Sequence, residues 1–234
     1  MKIAINHLTR MRAGYICVAG VDLESGQHVR PVLGGAKQLS TTLLARNAGP
    51  FDMGVMVDLG TVKPVGQKPE VEDHLFDPSQ CTALRVVGPR SFWKLLDEHA
   101  KPTLRAIFGP DLTKRGASSC AVDVGKGDAS LGCFDPEARP QLYINSDQKI
   151  RIAVKDPEFD LDLGVTDIRL YGDDHVSADE KIVKQIVKRI KAGENAILSV
   201  GLTRPFGGSQ FYQPVHWLQV NNIHLEGDPT WQLG

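Results

Sequence analysis

Short apolar runs, broken by glycine, proline and polar clusters, recur from the start of the chain. Residues 2–8 and 15–23 read as strands on either side of the polar, basic connection "TRMRAG". "ESG" then turns the chain into a third strand over 28–33, so the opening predicts a β-meander. The middle of "GGAKQLSTTLLARNAGP" predicts a short helix with Ser40 as N-cap and Leu43 and Leu44 turned inward. Strands follow over 54–62 and 82–87, with "PVGQKPEVEDHLFDPSQ" irregular between them. Ser91 suits the N-cap of a helix that puts Phe92, Leu95 and Leu96 on one face. That helix ends or restarts at Pro102 and runs through Leu104, Ile107 and Phe108 to a "GP" stop.

The second half repeats this style after a connection at 109–119, the best place for a domain boundary. Residues 121–124, 130–134, 141–144, 149–154 and 165–171 look like strands. Ile150, Ile152 and Val154 alternate with Arg151, Ala153 and Lys155, as in a sheet with one wet face. The clearest helix spans 178–192. Ser177 and Glu180 form an S-x-x-E capping box, Ile182, Val183, Ile186, Val187 and Ile190 make the buried stripe, and Gly193 is the stop. Strands over 196–201 and 215–225 finish the pattern. The expectation is a mainly β protein with a few helices (α+β), built as two small barrels or sandwiches.

Leu-Thr-Arg closes an apolar run twice, at Arg10 and at Arg204. A tripeptide match carries little weight alone, since a chain of this length offers about five by chance. Residues 2–10 and 196–204 nevertheless align without a gap, and each arginine sits where strand gives way to loop. The two ends read as corresponding hairpins, first in one unit and last in the other.

Composition adds limits. The formal net charge is −1, so any polyanion site must be a local patch rather than a global basic field. The four cysteines, Cys17, Cys81, Cys120 and Cys133, form no C-x-x-C pair, which argues against a structural zinc site. Neither a signal-peptide pattern nor a long apolar span is present, so the expectation is a cytoplasmic protein with reduced thiols and no membrane contact.

"GYICVAGVDLESGQHVRPV" resembles the opening of the dual OB-containing domain family of prokaryotic proteins, where a C-V-A-G-(acidic)-…-R-P-V run follows a first strand and a basic loop. "ILSVGLTRPF" is similar to that family's C-terminal segment, and "QKPEVEDH" to an acidic Pro-Glu segment. The resemblance implies paired OB-like barrels, here 1–112 and 113–234, each with a helix, and implies nucleic-acid binding. Its carry-over of binding residues reaches Arg10, Arg30 and Arg204.

An OB barrel holds single strands by pairing a basic groove with stacking aromatics. Arg10 and Arg12 lie in the first connection, Tyr15 begins the next strand, and Arg30 lies on the third. Arg204 opens the aromatic-richest segment, with Phe206, Phe211, Tyr212, His216 and Trp217. The candidate nucleic-acid-binding set is Arg10, Arg12, Tyr15, Arg30, Arg204, Phe206 and Tyr212. The competing reading is structural: an arginine at a strand end often braces loop carbonyls or an acid, Arg30 before Pro31 suits such bracing, and Trp217 in a strand suits the core. The basic residues Lys181, Lys184, Lys188, Arg189 and Lys191 suit a solvated helix face.

Glu70, Glu72, Asp73 and His74 place four potential ligands in five residues, and a strand there would send Glu70, Glu72 and His74 to one side. That set could hold Mg²⁺ or Mn²⁺ for phosphodiester hydrolysis. "GDDH" at 172–175 is a similar cluster, although acids before a helix also favour its dipole. No P-loop or nucleophile elbow is present, and "GGAKQLS" has its glycines and lysine at the wrong spacing. The sequence therefore points to non-enzymatic binding of single-stranded or structured nucleic acid, or of a nucleotide, without a cofactor or metal. Two alternatives stay open: a metal-dependent phosphodiesterase or nucleotide-processing enzyme using residues 70–74, and a protein-interaction subunit with a protein partner.

Overall fold

The computed structural model describes residues 1–12, 14–35, 37–207 and 213–231. The first part of the chain holds β1 (Lys2–Arg10), β2 (Tyr15–Asp22), β3 (His28–Val32), β4 (Leu39–Ser40), β5 (Val55–Asp58), β6 (Lys63–Pro64), β7 (Asp73–Leu75), β8 (Thr82–Val86) and the helix α1 (Pro89–His99). The remainder holds β9 (Ala100–Lys101), α2 (Arg105–Phe108), β10 (Thr113–Arg115), β11 (Ser119–Asp123), β12 (Leu131–Phe134), β13 (Gln141–Ile144), β14 (Ile150–Lys155), β15 (Asp160–Gly164), α3 (Glu180–Lys191), β16 (Ala196–Leu202) and β17 (Val215–Leu225).

The first sheet runs β6-β7-β3-β2-β1-β5-β8, with β4 added beside β2. The second runs β10-β11-β17-β16-β12-β9, and β13-β14-β15 form a third. The protein is mainly β, and its sheets curl as in OB-like barrels. The meander predicted from the first turns is present: β1 pairs antiparallel with β2, and β2 with β3. β3 then pairs in parallel with β7, so the chain between them crosses back over the sheet.

Two apolar clusters fill the interior. One gathers Ile3, Ile5, Leu8, Val18, Phe51 and Phe92 with their neighbours. The other gathers Phe108, Phe134, Ile152, Leu163, Ile186 and Leu198 with theirs. Leu104, Ile107, Phe108 and Leu112 belong to the second cluster, because β9 already pairs with β12 at Ala100 and carries the chain across.

Three local expectations are corrected. The first long helix starts at Pro89 rather than Ser91, with Gly88 as N-cap and proline, whose fixed φ suits the first helical position, in the opening turn. Ser177 does not cap α3: its hydroxyl donates to Asp174 at 2.6 Å, and Asp179 is the N-cap, accepting from the Ile182 amide at 3.0 Å. Residues 165–171 are not a strand. Asp167 accepts from the Arg169 amide and opens a 3₁₀ turn over Ile168–Leu170. The short helix after Ser40 is also a 3₁₀ turn, and the Ser40 hydroxyl caps it as expected.

The two terminal hairpins, β1–β2 and β16–β17, are stitched together by side chains. The Asn222 amide accepts from the Leu8 N–H at 2.8 Å and donates to the Leu8 carbonyl at 3.0 Å, as a neighbouring strand would. The Ser199 hydroxyl donates to the Asn6 carbonyl at 2.8 Å, and Asn221 meets His7 at 3.1 Å. Both strand pairs carry a register shift near this seam, between Ile5 and His7 and between Ser199 and Val200. Such a bulge turns a side chain out of its normal alternation.

Candidate functional site

The hairpin junction opens into a cavity of about 900 Å³. Thr9 and Arg10 reach it from the end of β1, and Thr203 and Arg204 from just past the end of β16. The two Leu-Thr-Arg segments thus meet at one place. Arg12 and Arg30 line the same space, as does Phe206, which is half exposed. Tyr15 does not line it but sits beneath Arg12, whose guanidinium lies 5.1 Å from the ring centre. Tyr212 lies outside the described residues, as does Phe211.

The arginines divide into two kinds. Arg30 is buried and donates from Nε to Asp73 Oδ1 at 2.5 Å. Arg204, with its side chain 51% exposed, donates from Nη2 to Asp73 Oδ2 at 2.8 Å and pairs with Glu70 Oε1 at 2.7 Å. One carboxylate therefore fixes two guanidinium groups that come from distant parts of the chain. Burial opposes the charge on Arg204, but Asp73 and Glu70 outweigh it and raise its pKa. The Arg30 Nη2 has no hydrogen-bond partner among the described residues, although it is buried.

Arg10 and Arg12 have no carboxylate among the contacts described. Arg10 donates to the His175 carbonyl at 3.1 Å and stacks 4.0 Å from the centre of the Tyr171 ring. Arg12 donates to the neutral Gln38 side chain at 3.1 Å. Lys37, exposed on the same rim, makes no ion pair among the described residues. The apolar part of the wall comes from Ile16, Val32, Leu33, Leu39, Leu75 and Leu202.

The acidic cluster is not arranged as a metal site. The strand begins only at Asp73, so residues 70–72 lack the alternation that would align their side chains. Glu72 turns away and accepts from the Ser130 amide at 2.7 Å, the Ser130 hydroxyl at 2.8 Å and the Leu131 amide at 3.0 Å. Burial raises its pKa in spite of those bonds. Glu70 and Asp73 are taken by arginine, and His74 Nδ1 meets the Glu72 carbonyl. Among the described residues no three His, Cys, Asp or Glu side chains are grouped to hold a metal ion. In the second cluster, Asp174 binds the Ser177 hydroxyl and two amides, while Asp173 and His175 meet Arg46.

In a comparison with protein families, residues 1–223 match the model of the dual OB-containing domain. The chain belongs to that family. No match was found among curated proteins or solved structures. Among the described residues of this dual OB protein, no helix is long and apolar enough to cross a membrane.

Several residues at or behind the cavity are not evident from sequence. Lys37 and Gln38 belong to the glycine-containing "GGAKQLS" stretch, set aside because its spacing is wrong for a phosphate loop. Asp73 looks like a metal ligand until Arg204 is seen beside it. A buried polar seam behind the cavity joins Asn6 to His28 at 3.1 Å and to Cys133 at 3.2 Å, and joins Ser199 to His224 at 2.9 Å. These residues come from five separate strands, Asn6 from β1, His28 from β3, Cys133 from β12, Ser199 from β16 and His224 from β17, so periodicity alone gives no hint of the cluster.

Proposed function

We propose that the protein binds nucleic acid, single-stranded or structured, or a nucleotide, in the cavity between its terminal hairpins, and that it does so without catalysing a reaction. The observation that carries this reading is the convergence of Arg10, Arg12, Arg30 and Arg204 on one open cavity, with Arg10 and Arg12 uncompensated by carboxylates among their described contacts. A guanidinium supplies fixed donors for phosphate oxygens and a flat face for a base. Family membership supports the same reading, since OB barrels commonly bind oligonucleotides.

The formal net charge of −1 makes this local arrangement decisive. Binding must come from the cavity rim, because the protein as a whole offers no attraction to a polyanion. The test is fluorescence anisotropy with labelled single-stranded and duplex oligonucleotides across a salt series. Saturable binding that weakens with salt, and that weakens further in Arg10→Ala, is expected. Affinity indifferent to both salt and the substitution would refute the reading.

A further inference from the structure

We propose that the cavity is a single-nucleotide pocket, with a base, guanine by preference, at the Arg30 end and its phosphate held at the rim by Arg10, Arg12 and Lys37. This rests on the binding reading above and adds the ligand's size, orientation and base.

The two ends of the cavity differ in charge. At the Arg30 end, two guanidinium groups are matched by the carboxylates of Asp73 and Glu70. That end has little net attraction for phosphate. Arg30 nevertheless lines the cavity with a side chain only 5% exposed, and its Nη2 is buried without a hydrogen-bond partner among the described residues. A buried donor without a partner costs free energy, so a ligand acceptor there is favoured. A neutral carbonyl or ring nitrogen fits this place better than a strongly hydrated anion.

Among purines, guanine offers O6 and N7 as adjacent acceptors. Adenine sets the N6 donor beside N7, which a donor-only guanidinium disfavours. The neighbouring apolar wall, from Val32, Leu33 and Leu75, suits the faces and edge of a ring. At the rim, Arg10, Arg12 and Lys37 make no ion pair among the described residues, and they supply the charge that a phosphate needs. The volume of about 900 Å³ lies within the range of ordinary small-ligand sites, roughly 300–1,000 Å³.

The test is titration calorimetry with 5′-GMP and 5′-AMP, together with displacement of a labelled single strand by each. GMP should bind about tenfold or more tightly than AMP and should displace the strand. Arg30→Met should bring GMP down to the AMP level. Because that change disturbs a buried ion pair, Leu33→Trp serves as a second variant: it fills the wall without touching any charge. It should weaken GMP about tenfold or more while leaving the circular dichroism spectrum unchanged. Salt-dependent strand binding with no binding or displacement by GMP would overturn the single-nucleotide pocket and leave the broader reading intact. Equal binding of GMP and AMP would overturn the proposed base contact. Failure of strand and nucleotides alike would end both.

Discussion

Arg30 donates its Nε to Asp73 at 2.5 Å with both side chains almost wholly buried. The two are not equally replaceable. Asp73 also accepts from Arg204, so Asp73→Asn leaves a buried guanidinium unpaired and weakens the hold on a second one. Removing one partner of a buried pair costs about 3–5 kcal/mol. Arg30→Met leaves Asp73 with Arg204 and fills part of the vacated space, so its cost should be nearer about 1–3 kcal/mol. Chemical denaturation should rank Asp73→Asn as clearly the less stable variant. The reverse order would mean that Asp73 is held by something other than these arginines.

The Asn222 side chain completes two backbone hydrogen bonds for Leu8, across the seam between the terminal hairpins. Asn222→Leu keeps the volume and removes both bonds, leaving a buried amide and a buried carbonyl unsatisfied. Each such group costs about 1–3 kcal/mol. A lower urea midpoint with an unchanged slope is expected. A midpoint within experimental scatter of the parent would show that the hairpins do not depend on this contact.

Three histidines make the seam sensitive to acid. Burial is the main reason that His7 titrates well below its usual value, assisted by nearby His28, His224 and Arg30. Burial likewise lowers His28 to about 4, with His99 adding to it, and lowers His224 to about 4, with Arg169 adding to it. An unfolded imidazole titrates near about 6.5. Below that pH the unfolded chain takes up protons that the folded chain refuses. Stability is therefore complete above about 6.5 and falls as the pH drops towards about 4, by up to about 1.4 kcal/mol per unit for each ring. Glu72 acts in the opposite sense, because its raised pKa costs stability as the pH rises above the ordinary carboxylate range. Denaturation at pH 7.5, 6.5 and 5.5 should show the fall, and His28→Gln should lessen it. A flat profile would place these rings in water.

Strand β14 was legible because a half-buried strand writes its period into the sequence, as at Ile150, Ile152 and Val154, whereas β16 was legible as an apolar run buried along its whole length. Residues 165–171 carry a similar alternation, yet Asp167 and Arg169 face inward as a fully buried ion pair and the chain turns instead. Ser177 and Glu180 have capping-box spacing, but Asp174 claims the serine and Asp179 takes its place. The cap depended on competing side chains, which spacing cannot rank. Arg10, Arg12, Arg30, Arg204 and Phe206 were legible as site candidates, and all line the cavity. Their partners were not. Asp73 stands 131 residues from Arg204, and nothing local distinguishes a carboxylate that clamps arginine from one that would bind a metal.

The rim charges make the salt dependence of binding countable. Arg30 and Arg204 are already matched by Asp73 and Glu70, so they should release few counterions when a strand binds. Arg10, Arg12 and Lys37 have no such match among their described contacts. When a strand binds, each of these three cations that meets a phosphate of its own adds about −0.7 to the slope of log K against log salt, to about −2 for all three, whereas a lone nucleotide with one phosphate among them gives about −0.7. Arg12→Ala should make the slope shallower by about 0.7 and weaken binding most at low salt. Arg204→Ala should behave differently. It frees Glu70 as an unmatched negative charge, so affinity should drop while the slope changes by less than a full phosphate contact. Equal slope changes for Arg12→Ala and Arg204→Ala would show that ligand displaces the carboxylates from Arg204, and that the division into matched and unmatched arginines does not survive binding.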